Sequence, residues 1–404
     1  MTVGYQSPSG VAFAVVVALC AGTEAQGQSL KRSVVLFPWD PLATSARAQG
    51  LGGADVSVVA DASSVGANAA GLAFLPLHSV SLSLLQVTRS QPRDRLAQSQ
   101  IGRWDGPLNI DVGFRPWNLI GIGFQFGAPT RHFFEGSQSD TSVGLHSLRE
   151  HPSIGLALSV RAGRQFGFGA RVGKAWLQAR SRSDPPLFKR SLAAPSWSLG
   201  LLARPFDHRT LQDVRPFSGL QFGLTVAHFG EWRESAATVE SDAGQHWRVE
   251  RASAPVVSSL GVSWHRDLGW GQKILVSTQI DRVEAIQGRD KGYAFATAVE
   301  FSTFRRGRVE GNGGLQLRAG FRRKSRAMSL VVFGLGPGSI ESIEEPGRST
   351  LSVGLSAVPS WKSTGFAGRL RLDTALSRSQ SAWRWSVGLN LQFPRSQRRT
   401  LLGG

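Results

Sequence analysis

The sequence predicts a transmembrane antiparallel β-barrel of roughly 14 strands, closed around an N-terminal Gly/Ala-rich plug that contains a short helix. Three observations predict it. Segments of about ten residues alternate apolar and polar side chains from Ser79 to Phe393. A stretch rich in glycine and alanine, residues 46–75, precedes them and shares none of that alternation. An apolar run from Val11 to Gly22 stands near the start, too short to cross a bilayer and suited to the core of an export signal.

Residues 1–25 are read as a signal peptide, with Ala25 after Thr23-Glu24 as the cleavage point, although no Lys or Arg precedes the apolar run. The single cysteine, Cys20, lies inside that run. Leu19 fills the position where a lipoprotein signal wants Gly or Ala, so Cys20 is expected to leave with the signal. A mature chain without thiols excludes a disulfide framework, a redox motif and a thiolate metal site.

Residues 26–77 form the expected plug. Gly50, Gly52 and Gly53 supply backbone without side chains, able to pack against other backbone. Asp61-Ala62-Ser63-Ser64 reads as a helix start, its carboxylate and hydroxyls placed to accept from free N–H groups. Small residues continue through Asn68 to Gly71, the expected stop.

Residues 78–393 form the expected barrel. Val80, Leu82 and Leu84 alternate with serines, and Ile120, Ile122, Phe124 and Phe126 alternate with Gly121, Gly123, Gln125 and Gly127. Ile154 to Arg161, Leu220 to Val226, Leu315 to Arg322, Arg369 to Ser377 and Arg384 to Phe393 repeat the pattern. A period of two gives each strand one apolar and one polar face. Tilted strands of 9–11 residues match a bilayer core, and an open sheet there would leave backbone groups unpaired, so the sheet must close. A soluble β-sandwich also alternates. The regularity over most of the chain, the signal segment, and tryptophans near segment ends (Trp104, Trp117, Trp176, Trp197, Trp264, Trp385) favour the membrane barrel.

The longer polar connections, about 89–107, 130–150, 181–195, 231–252 and 337–349, are expected at the extracellular end, since barrels place short turns on the periplasmic side. His132-Phe133-Phe134 and Trp247 bring aromatic surface into them, to pack the loop, dock a partner or meet a greasy ligand. Residues 394–404 form a basic C-terminal tail.

The formal charge is +18 over 404 residues. In a soluble protein it would suggest nucleic acid, but the arginines recur in separate polar segments instead of one patch, and turns beside phosphate-rich lipid head groups account for that spread. Outer-membrane lipids are therefore the expected partners, and nucleic acid is not. No Gly-x-Ser-x-Gly elbow occurs, the Gly-x-Gly pairs lack a strand-to-helix setting, and the eight histidines show no metal-ligand spacing. The acidic run Glu341-Ser342-Ile343-Glu344-Glu345 is read as a solvated loop, with weak Ca²⁺ binding the sharper alternative. No catalytic residue, metal site or cofactor is expected.

Charges on the polar faces of successive strands, Asp281, Glu300, Arg318, Arg322, Arg369, Arg371 and Asp373, would meet in the lumen of a closed barrel. There they would knit the wall and hold the plug, or line a path for an amphiphile's head group.

Gln49-Gly-Leu-Gly-Gly-Ala54, Val59-Ala-Asp-Ala-Ser-Ser-Val65 and Asn68-Ala-Ala-Gly-Leu-Ala73 together resemble the N-terminal signature of outer-membrane barrels related to the long-chain fatty-acid transporter FadL and its PorV-like relatives. Gly223 to Gly230 resembles a strand end of the same family. The chain departs from the family at Ala69, where proline is usual, and at the tail after Phe393. The resemblance implies residence in the bacterial outer membrane and passive uptake of hydrophobic or amphipathic small molecules past a plug. It also implies hatch roles for Gly52, Gly53 and Asn68. The alternative is a PorV-like scaffold that tethers secreted proteins by its loops.

Overall fold

The computed structural model describes residues 45–393 with breaks at 59–60, 76–77, 90–107, 128–130, 134–144, 182–188, 207–218, 230–232, 237–255, 270, 285–290, 305–313, 326–329, 332–341, 344–348, 360–368 and 380–381. The expected signal peptide, the basic tail, Trp104, Phe134 and Trp247 lie outside the described residues.

Fourteen strands make the wall: β1 His78–Arg89, β2 Leu108–Phe114, β3 Ile120–Gly127, β4 Leu145–Ala162, β5 Phe166–Ser181, β6 Lys189–Ala203, β7 Leu220–Phe229, β8 Val256–Gly269, β9 Gln272–Glu284, β10 Lys291–Phe304, β11 Gly314–Lys324, β12 Ser349–Val358, β13 Arg369–Ser379 and β14 Ala382–Phe393. Each pairs antiparallel with its neighbour in sequence, and β14 returns to β1, His78 opposite Phe393 through Arg89 opposite Ala382. The ring is closed. Closure removes the unpaired edges that a spanning sheet could not leave in lipid.

Alternation holds strand by strand. On the outer face Leu156 is 57% exposed, Leu317 50% and Leu351 65%, while the intervening Ala157, Arg318 and Ser352 are buried. An apolar exterior on a closed sheet is what lipid selects and what water would penalise. Trp117 and Trp264 lie toward the end with the short connections 115–119, 163–165 and 270–271, and Trp383 lies at the opposite end. That spacing fits interfacial girdles.

All five expected long connections fall at one end of the barrel, but two are shorter than expected. Strand pairing resumes at Leu145 and Lys189, because β4 and β5 are paired from Leu145 opposite Ser181, through register shifts at Leu145/Ser147 and His151/Ile154, and β5 and β6 from Arg180 opposite Lys189. Two short segments, Arg131–Phe133 and Arg233–Ala236, add to β4 and β6 there, and Leu330–Val331 pairs with Ser342–Ile343 inside the expected acidic loop.

Inside the ring, residues 45–75 carry more helix than expected. Helix α1 spans Ala46–Gly50, with Ser45 accepting from the Ala48 N–H at 3.0 Å. Helix α2 spans Ser64–Ala67 and a 3₁₀ helix runs Ala69–Phe74. Gly71 therefore does not stop the helix; it lies within the 3₁₀ turn. The break comes at Asn68, whose extended backbone ends α2 and whose Oδ1 accepts from the Ala70 N–H at 3.1 Å, so a side-chain cap starts the next turn. Helices this short are unstable alone. Burial holds them: Leu51, Ala54 and Val58 pack on Leu275, Ala296 and Ala298, and Val65, Ala69, Leu72 and Leu75 pack on Ala157.

A charge on the lipid face tests the orientation of the wall. Leu156→Arg should cost about 2–4 kcal/mol near the bilayer midplane. Urea titration of folding into lipid vesicles measures it, and the apolar swap Leu156→Ile at the same lipid-facing position should leave the vesicle-folding free energy unchanged within about 0.5 kcal/mol.

Candidate functional site

The lumen and its plug form the candidate site, and the first requirement on the wall is room. Inward positions on many strands are glycine, and plug backbone occupies the space a side chain would fill. A Cβ on Gly121 would lie 2.5 Å from the Leu72 carbonyl carbon, and one on Gly320 would lie 2.5 Å from that of Leu51. Gly50 and Gly354 meet backbone to backbone, a Cβ on Gly50 reaching 3.2 Å from the Gly354 Cα. Gly52 and Gly53 have φ of 62° and 81°, a left-handed turn that only glycine adopts without strain. Gly52 is doubly constrained, because its Cβ would also sit 3.1 Å from the Phe321 nitrogen.

Polar contacts then register the plug. Gln279 Oε1 accepts from the Asp55 and Val56 N–H groups, each at 3.0 Å. The hydroxyls of Ser277 and Ser263 donate to the carbonyls of Ala54 (2.6 Å) and Ser57 (3.1 Å). Asn68 Nδ2 donates to the carbonyl of Val56 at 2.9 Å and to that of Leu201 in β6 at 3.1 Å. At the exit from the plug, Arg115 donates to the Leu75 carbonyl at 3.1 Å, and the guanidiniums of Arg161 and Arg204 lie 5.0 and 4.3 Å from the Phe74 ring centre.

Charge supplies the third layer. Arg47 of α1 grips Glu300 with two hydrogen bonds, 3.2 and 3.1 Å. Glu300 also accepts from Arg318 at 2.5 Å, and Arg318 reaches Asp373 at 3.3 Å. Asp373 accepts from Arg371 at 2.9 Å, and Arg371 ends on Asp61 of the plug. Arginine and carboxylate alternate along the whole chain, which begins and ends on the plug and crosses β10, β11 and β13 between. Arg322 and Asp281 make a second pair at 2.6 Å. Net charge cancels within both groups, which offsets the desolvation cost of burying them.

Of the residues singled out in the sequence, Asp61, Glu300, Arg318, Arg371 and Asp373 come together in one network, and Arg322 with Asp281 stand beside it. Arg369 lies in β13 opposite Gln392, its side chain outside the described residues. Arg47, Gln279 and Arg115 went unnoticed. Arg47 carried a signal, the lone basic residue in a stretch of small residues; Gln279 and Arg115 did not, since a polar residue facing the lumen is ordinary.

Burial alone would raise the Asp61 carboxyl. Arg371 and Arg47 outweigh it, with help from Ser63 (its N–H at 2.9 Å), and hold the carboxyl down at about 2.

The fold and this interior define a class: a membrane-spanning barrel closed by an internal plug. Within that class the chain shares its fold with solved barrels of the FadL type. It is similar to a monoaromatic hydrocarbon channel, CymD (TM-score 0.51, 10% identity, 88% of this chain and 99% of that one), and to a Pseudomonas aeruginosa FadL homologue (0.51, 12%, 89% and 99%). The P. putida toluene transporter TodX is similarly related (0.51, 15%, 88% and 100%). At these identities the likeness establishes the fold. No protein-family profile matches the chain, and no curated protein sequence does.

Two outcomes follow from the network. Glu300→Gln leaves Arg47 and Arg318 short of a counter-charge and should weaken plug docking by about 3–5 kcal/mol; higher single-channel conductance in planar bilayers, with the strand content of the wall unchanged, is the readout. The Asp61 tie follows its depressed pKa. It is fully present above the unfolded carboxylate value of about 3.8 and is lost as pH falls through about 2. Conductance should therefore stay low from pH 7 to 4 and rise below about 3, whereas Asp61→Asn should show the raised level at every pH.

Proposed function

We propose that the protein is a passive uptake channel for hydrophobic small molecules in the bacterial outer membrane, gated by rearrangement of its plug. The observation that carries this reading is how the plug is mounted. It fills the lumen, yet apart from the chain's own continuation into β1 it is held by hydrogen bonds, ion pairs and small-residue contacts, with no side-chain cross-link to the wall among the described residues. All of these can exchange.

In this reading Gly50, Gly52, Gly53 and Gly71 give the hatch a slim backbone, while Asp61 and Asn68 latch it to the wall. The lumen charges serve as the wall half of the latch. Residues 26–77 act as the hatch and 78–393 as the wall. Transport of this kind needs no catalytic residue and no cofactor; it is binding followed by movement.

Two of the neighbours described above are a monoaromatic hydrocarbon channel and a toluene transporter, which supports uptake over a scaffold that tethers secreted proteins. No observation among the described residues favours the scaffold.

The test is mass spectrometry on the protein purified gently from outer membranes. A stoichiometric hydrophobic molecule is the expected result. An empty barrel carrying a reproducible protein partner would reverse the ranking.

A further inference from the structure

Five carboxylates are buried among the described residues: Asp61, Asp111, Asp281, Glu300 and Asp373. Four of them meet an arginine at 3.3 Å or less. Asp111, in β2, is the exception. It is 1% exposed, and the neutral Gln125 amide is all that faces its oxygens in place of an arginine. Leaving a carboxylate buried and unpaired is among the costliest things a fold can do, so this position asks for an explanation.

Its surroundings narrow the answer. Strand register sets inward residues side by side along one row, Asn390 in β14, Ser81 in β1, Asp111 in β2 and Gln125 in β3. Gln125 of β3, directly opposite, is a neutral donor beside Asp111 and brings no counter-charge. Asn390 is fully buried, and neither its amide oxygen nor its amide nitrogen has a partner. Two positions along β2 is Gly113, where a Cβ would press on Leu72 at 3.3 Å and Ala62 at 3.4 Å. Asp111 therefore borders the plug, one step toward the end with the long connections, beside the apolar cluster of Val65, Leu72 and Leu75. The charges that act on it from outside its own strand are Asp61 of the plug, itself committed to Arg371, and Arg171 of β5.

We propose that Asp111, with Gln125 beside it, is a polar subsite that selects apolar ligands carrying a hydroxyl or amino group. This deepens the uptake reading and rests on it. A hydroxyl or amino group hydrogen-bonds the Asp111 carboxyl in place of Gln125 while the rest of the molecule lies on the apolar cluster. A bare hydrocarbon leaves the acceptor unpaired, and a carboxylate ligand meets the like charges of Asp111 and Asp61. A site built to hydrogen-bond its ligand discriminates strongly against the analogue that lacks the group, more strongly than an apolar pocket discriminates by size.

Equilibrium dialysis on the full-length protein in lipid nanodiscs, with benzyl alcohol, benzylamine, toluene and benzoate as probes, tests the subsite. The wild type should bind benzyl alcohol and benzylamine at least about tenfold more tightly than toluene, and benzoate most weakly. Asp111→Val should abolish that preference and leave toluene affinity unchanged. Asp111→Asn keeps an acceptor oxygen and should retain the preference for the alcohol while losing that for the amine.

Equal affinity for alcohol and toluene in the wild type overturns the subsite, water alone then satisfying Asp111, and leaves uptake intact. A preference that persists in Asp111→Val overturns it too. Binding of no probe at all sinks the uptake reading with it. If the valine variant fails to fold, the wild-type ratios and the Asn variant decide the matter alone.

Discussion

Closure of the sheet is the constraint on which everything else depends. A fourteen-stranded ring satisfies every ladder hydrogen bond in lipid, but it also encloses a lumen that cannot be left as bare backbone and stray charge. The inner face must be filled, and what fills it sets the choice of residue at each inward position. Serine, alanine and glycine dominate where the plug comes close, as at Ser277, Ala298 and Gly320. Long charged side chains occur where they meet a plug charge or one another, as at Glu300, which accepts from both Arg47 and Arg318.

Two kinds of contact hold the plug, and they respond differently to movement. Backbone packed against glycine gains close dispersion contacts and loses them within a fraction of an ångström. Ion pairs act over longer distances, and their cost of rupture lies mostly in leaving a buried charge alone. Beyond Arg47, which bonds Glu300 alone, the alternating chain to Asp61 gives each member more than one partner or a hydroxyl neighbour, such as Ser356 beside Asp373. A shift of α1 or α2 can then redistribute partners within the lumen instead of exposing one charge outright. That property suits a hatch better than a permanent seal.

Much of the fold was legible in the sequence. Period-two alternation is a local property, and Leu156, Leu158 and Val160 face outward for the reason their spacing implied. The inward direction of Glu300 and Arg318 followed from the same count. The helix layout of the plug was less legible. Asn68 reads as one small polar residue in a run of small residues, yet it ends one helix and caps the next, and only its position against Leu201 shows why it holds both roles. The extents of β4, β5 and β6 were misjudged because their polar ends are paired with one another beyond the apolar belt, where composition looks like loop.

By itself the sequence determined the barrel class, the face on which each side chain lies, and the presence of a slim plug, because these follow from periodicity and side-chain size along one strand at a time. Tertiary structure alone decided which charges meet. Arg47 and Glu300 are 253 residues apart in the chain, and their pairing depends on where the ring closes and how deep α1 sits. The same holds for Asp111, the buried carboxylate that no arginine contacts among the described residues. A missing partner is a relation among several strands and the plug, and no single segment encodes it.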